Sequence, residues 1–349
     1  MAFSGALLSS MPMPTPGGSA PGMSGTMWMP SLPPTFARLV EWHLQPIPVF
    51  PVLATVLFLG YLLGVAALHR RGASWPLART IWWLAGIATI LLVTATGVDG
   101  YGMELFSVHM VQHMVLSMLT PIFLALGAPI TLLLRALPAR RGGGWNARKV
   151  FLAVLHSRVA SFLTHPAVTV TLFLVSLYGL YFTPIFDALM STMWGHNLML
   201  LHFLVIGYLY FWGVMGVDPS PRKAARGIRS FSSPILRILE IVATVPFHAF
   251  FGVVVMMSVD LIVRLYAHPN PAWNISALSD QKVGGGIAWG FTELPTLIVL
   301  GVLFWQWQST AARHDRVANR KADADGDAEL NAYNARLQAF AARDTSGRS

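Results

Sequence analysis

The sequence predicts an all-α protein: a polytopic membrane helix bundle of seven transmembrane helices, with its N-terminus outside and its C-terminus in the cytoplasm. Three observations lead to this fold class, namely the composition, the recurrence of long apolar runs and the distribution of basic residues. Of the 349 residues, 54% are hydrophobic and only 11% are charged, against about 25% charged in an ordinary soluble domain. So small a share of charge indicates a chain that is solvated largely by lipid.

Long apolar runs recur along the chain, each close to the length of about 20 residues that crosses a bilayer as a helix. Because a helix satisfies its own backbone hydrogen bonds in lipid, these runs predict one helical bundle. The predicted spans are Ile47–Leu68, Arg79–Thr96, Leu105–Leu126, Ala167–Phe186, His196–Val217, Leu236–Val259 and Gly286–Gln308. They divide the chain into a flexible outer tail rich in Met, Pro and Gly (1–45), a membrane domain (46–308) and a polar cytoplasmic tail (309–349).

Basic residues give the orientation. They cluster in the loops after spans 1, 3 and 5 and in the C-terminal tail, as with Arg70 and Arg71 after span 1 or Arg140 and Arg141 after span 3. The remaining loops carry almost none. By the positive-inside rule the basic loops face the cytoplasm. The net charge of +9 is therefore a signal of topology, and no folded basic domain suggests a nucleic-acid partner.

Histidines inside the predicted spans are the candidate functional residues. An ionisable side chain at membrane depth is rare and is a functional hypothesis by default. His109 and His113 are four residues apart and share one helix face at the outer end of span 3. Three more fall in the outer half of other spans: His196, His202 and His248. Each alone is more often hydrogen-bonded across helices, but five in one half of the bundle favour a shared metal site.

The chemistry of these residue types points to a transition metal. Neutral imidazole is a ligand for copper, zinc and haem iron. The His-x-x-x-His spacing alone is weak, because the zinc-peptidase pattern would place a glutamate directly after His109. A stripe of Met110, Met114 and Met118 lies beside it; such stripes are mostly packing, but thioethers would suit a path for a soft ion such as Cu(I). The absence of cysteine excludes thiolate ligands and iron–sulfur clusters.

Three segments resemble a known family. They are Ser107-Val108-His109-Met110-Val111-Gln112-His113 running on to Leu126-Gly127-Ala128-Pro129, Pro246-Phe247-His248-Ala249-Phe250-Phe251-Gly252, and Asp280-Gln281-Lys282-Val283-Gly284-Gly285-Gly286-Ile287-Ala288-Trp289 followed by Glu293. In this order they are similar to segments of the polytopic CtaG-like assembly factors of caa-type cytochrome c oxidase. The likeness covers roughly Pro46 to Trp307. It departs from the family at Ala288, where a methionine is expected.

The resemblance implies a role in maturing a haem–copper oxidase of the bacterial cell (inner) membrane. The implied cargo is copper, the implied partners are oxidase subunits, and no catalysis by the chain itself is expected. His109, His113 and His248 carry over as expected ligands. Asp280 and Glu293 carry over as supporting acids, and Asp260 joins them by its position near the outer face.

Three alternatives remain open at the level of sequence. A haem-binding membrane cytochrome would use His109 or His113 opposite His202 or His248 as axial ligands. A membrane-embedded metal-dependent enzyme would use the same histidines with Glu293 as general base. A transporter is less favoured, because internal repeats and paired broken helices are not evident.

The orientation yields a test by chemical labelling. A cysteine introduced at Ser191 or Ser276, in loops predicted to be external, should react with an impermeant thiol reagent in intact cells. One at Ser230, in the basic loop after span 5, should react only after the cells are opened. The chain has no cysteine of its own, so the label reports the introduced one. The reverse pattern of reactivity would contradict the orientation.

Overall fold

The computed structural model describes residues 27–138, 146–221, 234–325 and 328–346. Regular structure in these ranges is helical, and no strand occurs there. The first 26 residues lie outside the described residues, as do Arg140, Arg141 and Ser230 of the basic loops. The α-helices are α1 (Phe36–Val40), α2 (Val49–His69), α3 (Leu77–Thr94), α4 (Gly97–Glu104), α5 (Phe106–Met114), α6 (Thr120–Leu126), α7 (Pro129–Ala136), α8 (Ala147–Leu155), α9 (Arg158–Leu163), α10 (Pro166–Tyr181), α11 (Ile185–Met190), α12 (Met193–Met215), α13 (Pro234–Met257), α14 (Ala277–Asp325) and α15 (Ala328–Ser346).

Six helical segments of the described chain are long and apolar enough to cross a membrane. They correspond to six of the seven predicted spans. The fourth predicted span is α10, which has only 16 residues and rises about 24 Å at 1.5 Å per residue. The helix ends at Tyr181 because Pro184 follows closely, and the residue before a proline avoids helical geometry. The chain is therefore a multi-pass helical membrane protein with six full-length candidate spans and one shorter apolar helix.

Span 3 is the centre of the bundle. It consists of α5, a π-helical turn over Val115–Leu119 and α6. In its most apolar stretch 67% of the residues are buried inside the protein, against 17% for α2. It packs against α3 on one side and α12 on the other. Because span 3 is enclosed by other helices, its polar side chains face protein and not lipid.

A proline explains the π-helical turn. Pro121 has no N–H to offer the carbonyl of Ser117, four residues earlier, and its ring crowds that carbonyl. The helix widens to i→i+5 bonding just before Pro121. The carbonyl of Ser117 then faces α12 at Gly207, where an added Cβ would lie 2.2 Å from the carbonyl oxygen. The break thus brings span 3 and α12 into close contact beside His113.

Close glycine contacts also bring α13 and α14 together. A Cβ added to Gly285 of α14 would lie 2.5 Å from the backbone nitrogen of Met256, and one added to Gly252 would lie 2.6 Å from that of Trp289. The sequence places Gly284–Gly286 just before the last span. In the structure these glycines lie inside α14, which begins nine residues before Gly286 at Ala277.

The part of the predicted outer tail that is described, residues 27–45, lies against the loops at one end of the bundle. His43 donates its backbone N–H to the carbonyl of Ala95, and the carbonyl of Glu41 accepts from Gly97. The Tyr101 hydroxyl donates to the carbonyl of Leu32, 2.8 Å away. We call this end, which bears Asp99 and Asp280, the acid-bearing end.

The contact at Gly207 gives a stability test. Gly207→Ala should lower the thermal stability of the purified protein in detergent, because the methyl group forces α12 away from span 3; overpacking of this kind costs about 1–3 kcal/mol. Gly60→Ala in α2 is the matched control, since an added Cβ there meets nothing within 4 Å. This control should leave the thermal unfolding midpoint unchanged or raise it slightly. Equal midpoints for the two variants would contradict the close packing.

Candidate metal centre

A small cavity lies in the middle of the bundle, between span 3, α10, α12 and α13. Its volume is about 10 Å³, roughly the room that one water molecule needs. Four polar side chains face it among apolar ones. The lining residues are His113, Ser117, Phe173, Ser176, Leu177, Phe203, Ile206, Gly207 and His248.

Several polar atoms around this cavity have no hydrogen-bond partner among the described residues. They are Nδ1 of His113, Nε2 of His248 and the hydroxyl oxygen of Ser117. His113 is only 3% exposed and His248 only 1%. A buried polar atom without a partner costs roughly 1–3 kcal/mol. Three of them around one cavity therefore indicate a place that binds something polar or charged.

The hydrogen bonds of His248 determine which of its nitrogens is free. The Thr292 hydroxyl lies 2.6 Å from Nδ1 of His248 and 2.6 Å from the carbonyl of Ala288. A hydroxyl has one proton, and the carbonyl can only accept. The Thr292 proton therefore goes to Ala288, and Nδ1 of His248 donates its N–H to the Thr292 oxygen. This leaves the lone pair of Nε2 unprotonated, which is the form that binds a metal.

A second small cavity lies on the other side of His248. Its volume is about 20 Å³, and Met118, Thr292 and Thr296 line it together with apolar residues. Met118 thus lies beside His248. Met110 and Met114 are fully buried but line neither cavity. Of the predicted methionine stripe, Met118 is the member that lines a cavity together with a candidate ligand.

His109 and His196 form a separate group toward the acid-bearing end. Nε2 of His109 lies 2.9 Å from the Tyr181 hydroxyl, and the ring packs edge-on against Phe186. His196 lies within electrostatic range of both His109 and Asp99. Burial raises the pKa of the Asp99 carboxyl above its ordinary value. Each of these two histidines also keeps one buried ring nitrogen without a partner among the described residues, Nδ1 of His109 and Nε2 of His196, but neither residue lines the inner cavity.

The remaining predicted site residues lie apart from the inner cavity or reach it indirectly. His202 is half-buried and pairs with Ser176, 2.5 Å away. Asp280 accepts from the backbone N–H and the hydroxyl of Ser107, so it holds the start of α5 and does not contact a histidine ring. Glu293 and Asp260 are exposed on the surface of the bundle. The general-base role expected of Glu293 in the enzyme alternative therefore finds no support.

The five histidines do not share one ligand set. Within the described ranges, no three His, Asp or Glu side chains are arranged to hold an ion. Helix geometry gives the reason for His196 and His202: six residues at 100° each place their side chains about 120° apart around α12. Similar depth does not imply a common face. The cavity lined by His113 and His248 has room for about one water molecule.

Sequence reasoning missed four side chains that shape the site. Ser117 lies four residues after His113 and eight after His109, so helical spacing alone could have identified it. Thr292 directly precedes Glu293 of the quoted motif, but its side chain is buried whereas that of Glu293 is exposed. Tyr181 and Ser176 come from α10, and only the tertiary packing brings them to the histidines.

Fold and site together define a multi-pass helical membrane protein with histidines enclosed in its core. A family model described as cytochrome c oxidase caa3 assembly factor matches residues 59–310. The chain belongs to this family. That confirms the resemblance found in its sequence motifs.

Curated relatives come from mycobacteria. An uncharacterized protein of Mycobacterium tuberculosis and one of Mycobacterium bovis are each 45% identical over 314 residues, which cover 88% of this chain and 45% of theirs. An uncharacterized protein of Mycobacterium leprae is 40% identical over the same length and is covered to 46%. The chain thus spans about half the length of the curated relatives it matches. No solved structure matches.

The burial of Asp99 predicts a pH dependence. Because its pKa is raised in the folded protein, the folded state binds more protons than the unfolded state. The contribution of Asp99 to stability is therefore greatest below the ordinary carboxyl pKa of 3.8 and falls as the pH rises from there through the raised pKa, by at most about 1.4 kcal/mol per pH unit. Asp99→Asn keeps an oxygen for the Gln112 side chain, which donates to Asp99 at 2.8 Å, and should remove this fall. The unfolding temperatures of the wild type and of Asp99→Asn, measured between pH 4 and 8, test this prediction. If the two temperatures change with pH in parallel, the effect of Asp99 is contradicted.

Proposed function

We propose that this protein assists the assembly of cytochrome c oxidase by holding Cu(I) between His113 and His248 and passing it to an oxidase subunit. The observation that carries the proposal is the hydrogen bond from His248 to Thr292, which leaves Nε2 of His248 with a free lone pair on a residue that lines a cavity of ionic size. His113 lies within electrostatic range of His248 and lines the same cavity. Two imidazoles on neighbouring helices are then available to one ion.

The donor set supports copper in its monovalent state. Imidazole and thioether ligands suit Cu(I), whereas Mg²⁺, Ca²⁺ and Mn²⁺ prefer carboxylates, and no carboxylate lines either cavity. Neutral ligands in a buried site compensate a single positive charge more readily than a double one. Met118 lines the second cavity together with His248 and offers a soft donor close to that histidine. Few ligands also favour release to a partner, which a transfer protein requires.

The sidedness of transfer is part of the proposal. With the basic loops in the cytoplasm, the acid-bearing end faces the outside, and His113 is reached from that end past His109. The chain then acts as a carrier in the cell membrane and not as an enzyme. The oxidase partner is proposed from the family description. The curated relatives add nothing to it, because they are about twice as long as this chain.

Copper binding tests the inner pair directly. Purified protein loaded anaerobically with Cu(I) and equilibrated with a chromophoric chelator should lose one equivalent of tightly bound copper in His113→Ala and the same equivalent in His248→Ala. The double variant should lose no more than either single variant, because both side chains serve one ion. His156→Ala is the control: its ring is bonded to the carbonyl of Leu152 in α8 and should not affect copper content.

The cellular outcome should follow the binding. Cells that carry His248→Ala should insert oxidase subunits that hold less than the full complement of copper per haem, measured by metal analysis of the purified oxidase. Copper added to the medium should partly restore it by mass action. Wild-type copper binding by both His113→Ala and His248→Ala would refute the site. A normal copper-to-haem ratio in oxidase from cells whose variant has lost its copper would refute the function.

A further inference from the structure

The protein has a second set of soft donors outside the inner cavity, in a pocket at the acid-bearing end. This outer pocket has a volume of about 220 Å³. Most of its wall is formed by the described part of the N-terminal segment. The lining residues are Trp28, Met29, Pro30, Ser31, Leu32, Arg38, Glu41, His43 and Tyr101.

From these side chains we infer that the outer pocket binds Cu(I) through Met29 and His43. A thioether and a neutral imidazole together are the kind of donor set that a soft monovalent ion prefers. The carboxylate of Glu41 lies 3.6 Å from Nε2 of His43, so the charge of a bound cation is balanced nearby. The ring of Trp28 stacks on that of His43, with 4.0 Å between centroids and 12° between planes. The indole therefore shields the imidazole from water and offers a π face to a cation.

The walls of the pocket are held by contacts on every side. The backbone N–H of Trp28 donates to the side chain of Gln45 at 2.9 Å. The indole N–H of Trp273 donates to the carbonyl of Ser31. Arg38 is the one cation in the lining, and its guanidinium donates to the carbonyl of Pro33 at 2.7 Å. The donors are thus positioned before any ion arrives, which lowers the cost of ordering them on binding.

Polar side chains connect the outer pocket to the inner pair. Gln45, two residues after His43, interacts with Asp99 as well as with Trp28. Gln112 donates to Asp99 at 2.8 Å and lies one residue before His113. These interactions place polar side chains between the outer pocket and α5, the helix that carries His113. The binding stands on the pocket alone; only its use as an entry site rests on the proposed copper function.

The test compares variants of the full chain in the Cu(I) competition assay. Met29→Leu and His43→Gln should each remove the same one equivalent of copper, and the double variant should remove no more. Met257→Leu is the matched control, a methionine that is 72% exposed and lies away from the pocket. The methionines of residues 1–26 are unchanged throughout, so a loss caused by His43→Gln is not a loss from that segment.

The outcomes separate this inference from the proposed function. If Met29→Leu and His43→Gln keep wild-type stoichiometry while His248→Ala loses an equivalent, the outer site is refuted and the inner one stands. If His248→Ala binds normally and the outer variants lose an equivalent, the reverse holds. X-ray absorption of the copper-loaded His113→Ala/His248→Ala protein adds a direct check: a sulfur neighbour of copper should be present and should vanish with Met29→Leu. Its persistence would overturn the role of Met29.

Discussion

The site depends on one constraint, that a helix at the centre of a membrane bundle must find partners for its polar groups within the protein. Span 3 is that helix, and it carries His109, His113 and Ser117 at intervals of four residues. His109 has Tyr181 as a partner. The Nδ1 atom of His113 and the hydroxyl oxygen of Ser117 have none. Nδ1 of His109 is unpaired as well, so what sets His113 and Ser117 apart is that their unpaired polar side chains line a cavity.

The fold could largely be predicted from the sequence, because apolar runs of membrane length leave the backbone few alternatives to the helix. Six spans were found in this way, and α10 differed because Pro184 shortens it. The break in span 3 was also within reach, since Pro121 cannot bond Ser117. Gly284 and Gly285 lay outside the predicted last span, which began at Gly286, although α14 begins at Ala277; glycine has a low helix propensity. Close packing against Met256 overrides that propensity.

The candidate site could be predicted in part only. Sequence periodicity aligns residues along one helix, so it identified His109 with His113 correctly as a shared face. It carries no information on how α12 and α13 are rotated, and for that reason His196 and His202 were grouped with a set they do not join. Thr292 decides the protonation of His248 through a contact between α13 and α14. Its neighbour Glu293, to which the motif draws attention, is exposed.

Both proposed inner ligands and the residue that orients one of them lie beside breaks in their helices. The π-helical turn begins two residues after His113. Pro246 lies inside α13 two residues before His248, and Pro295 lies inside α14 three residues after Thr292. At such breaks one backbone hydrogen bond is already missing or lengthened, so local rotation costs less than in a regular helix. A site that is 3% and 1% exposed at its two histidines can exchange an ion only if helices move, and the breaks lie where that movement is needed.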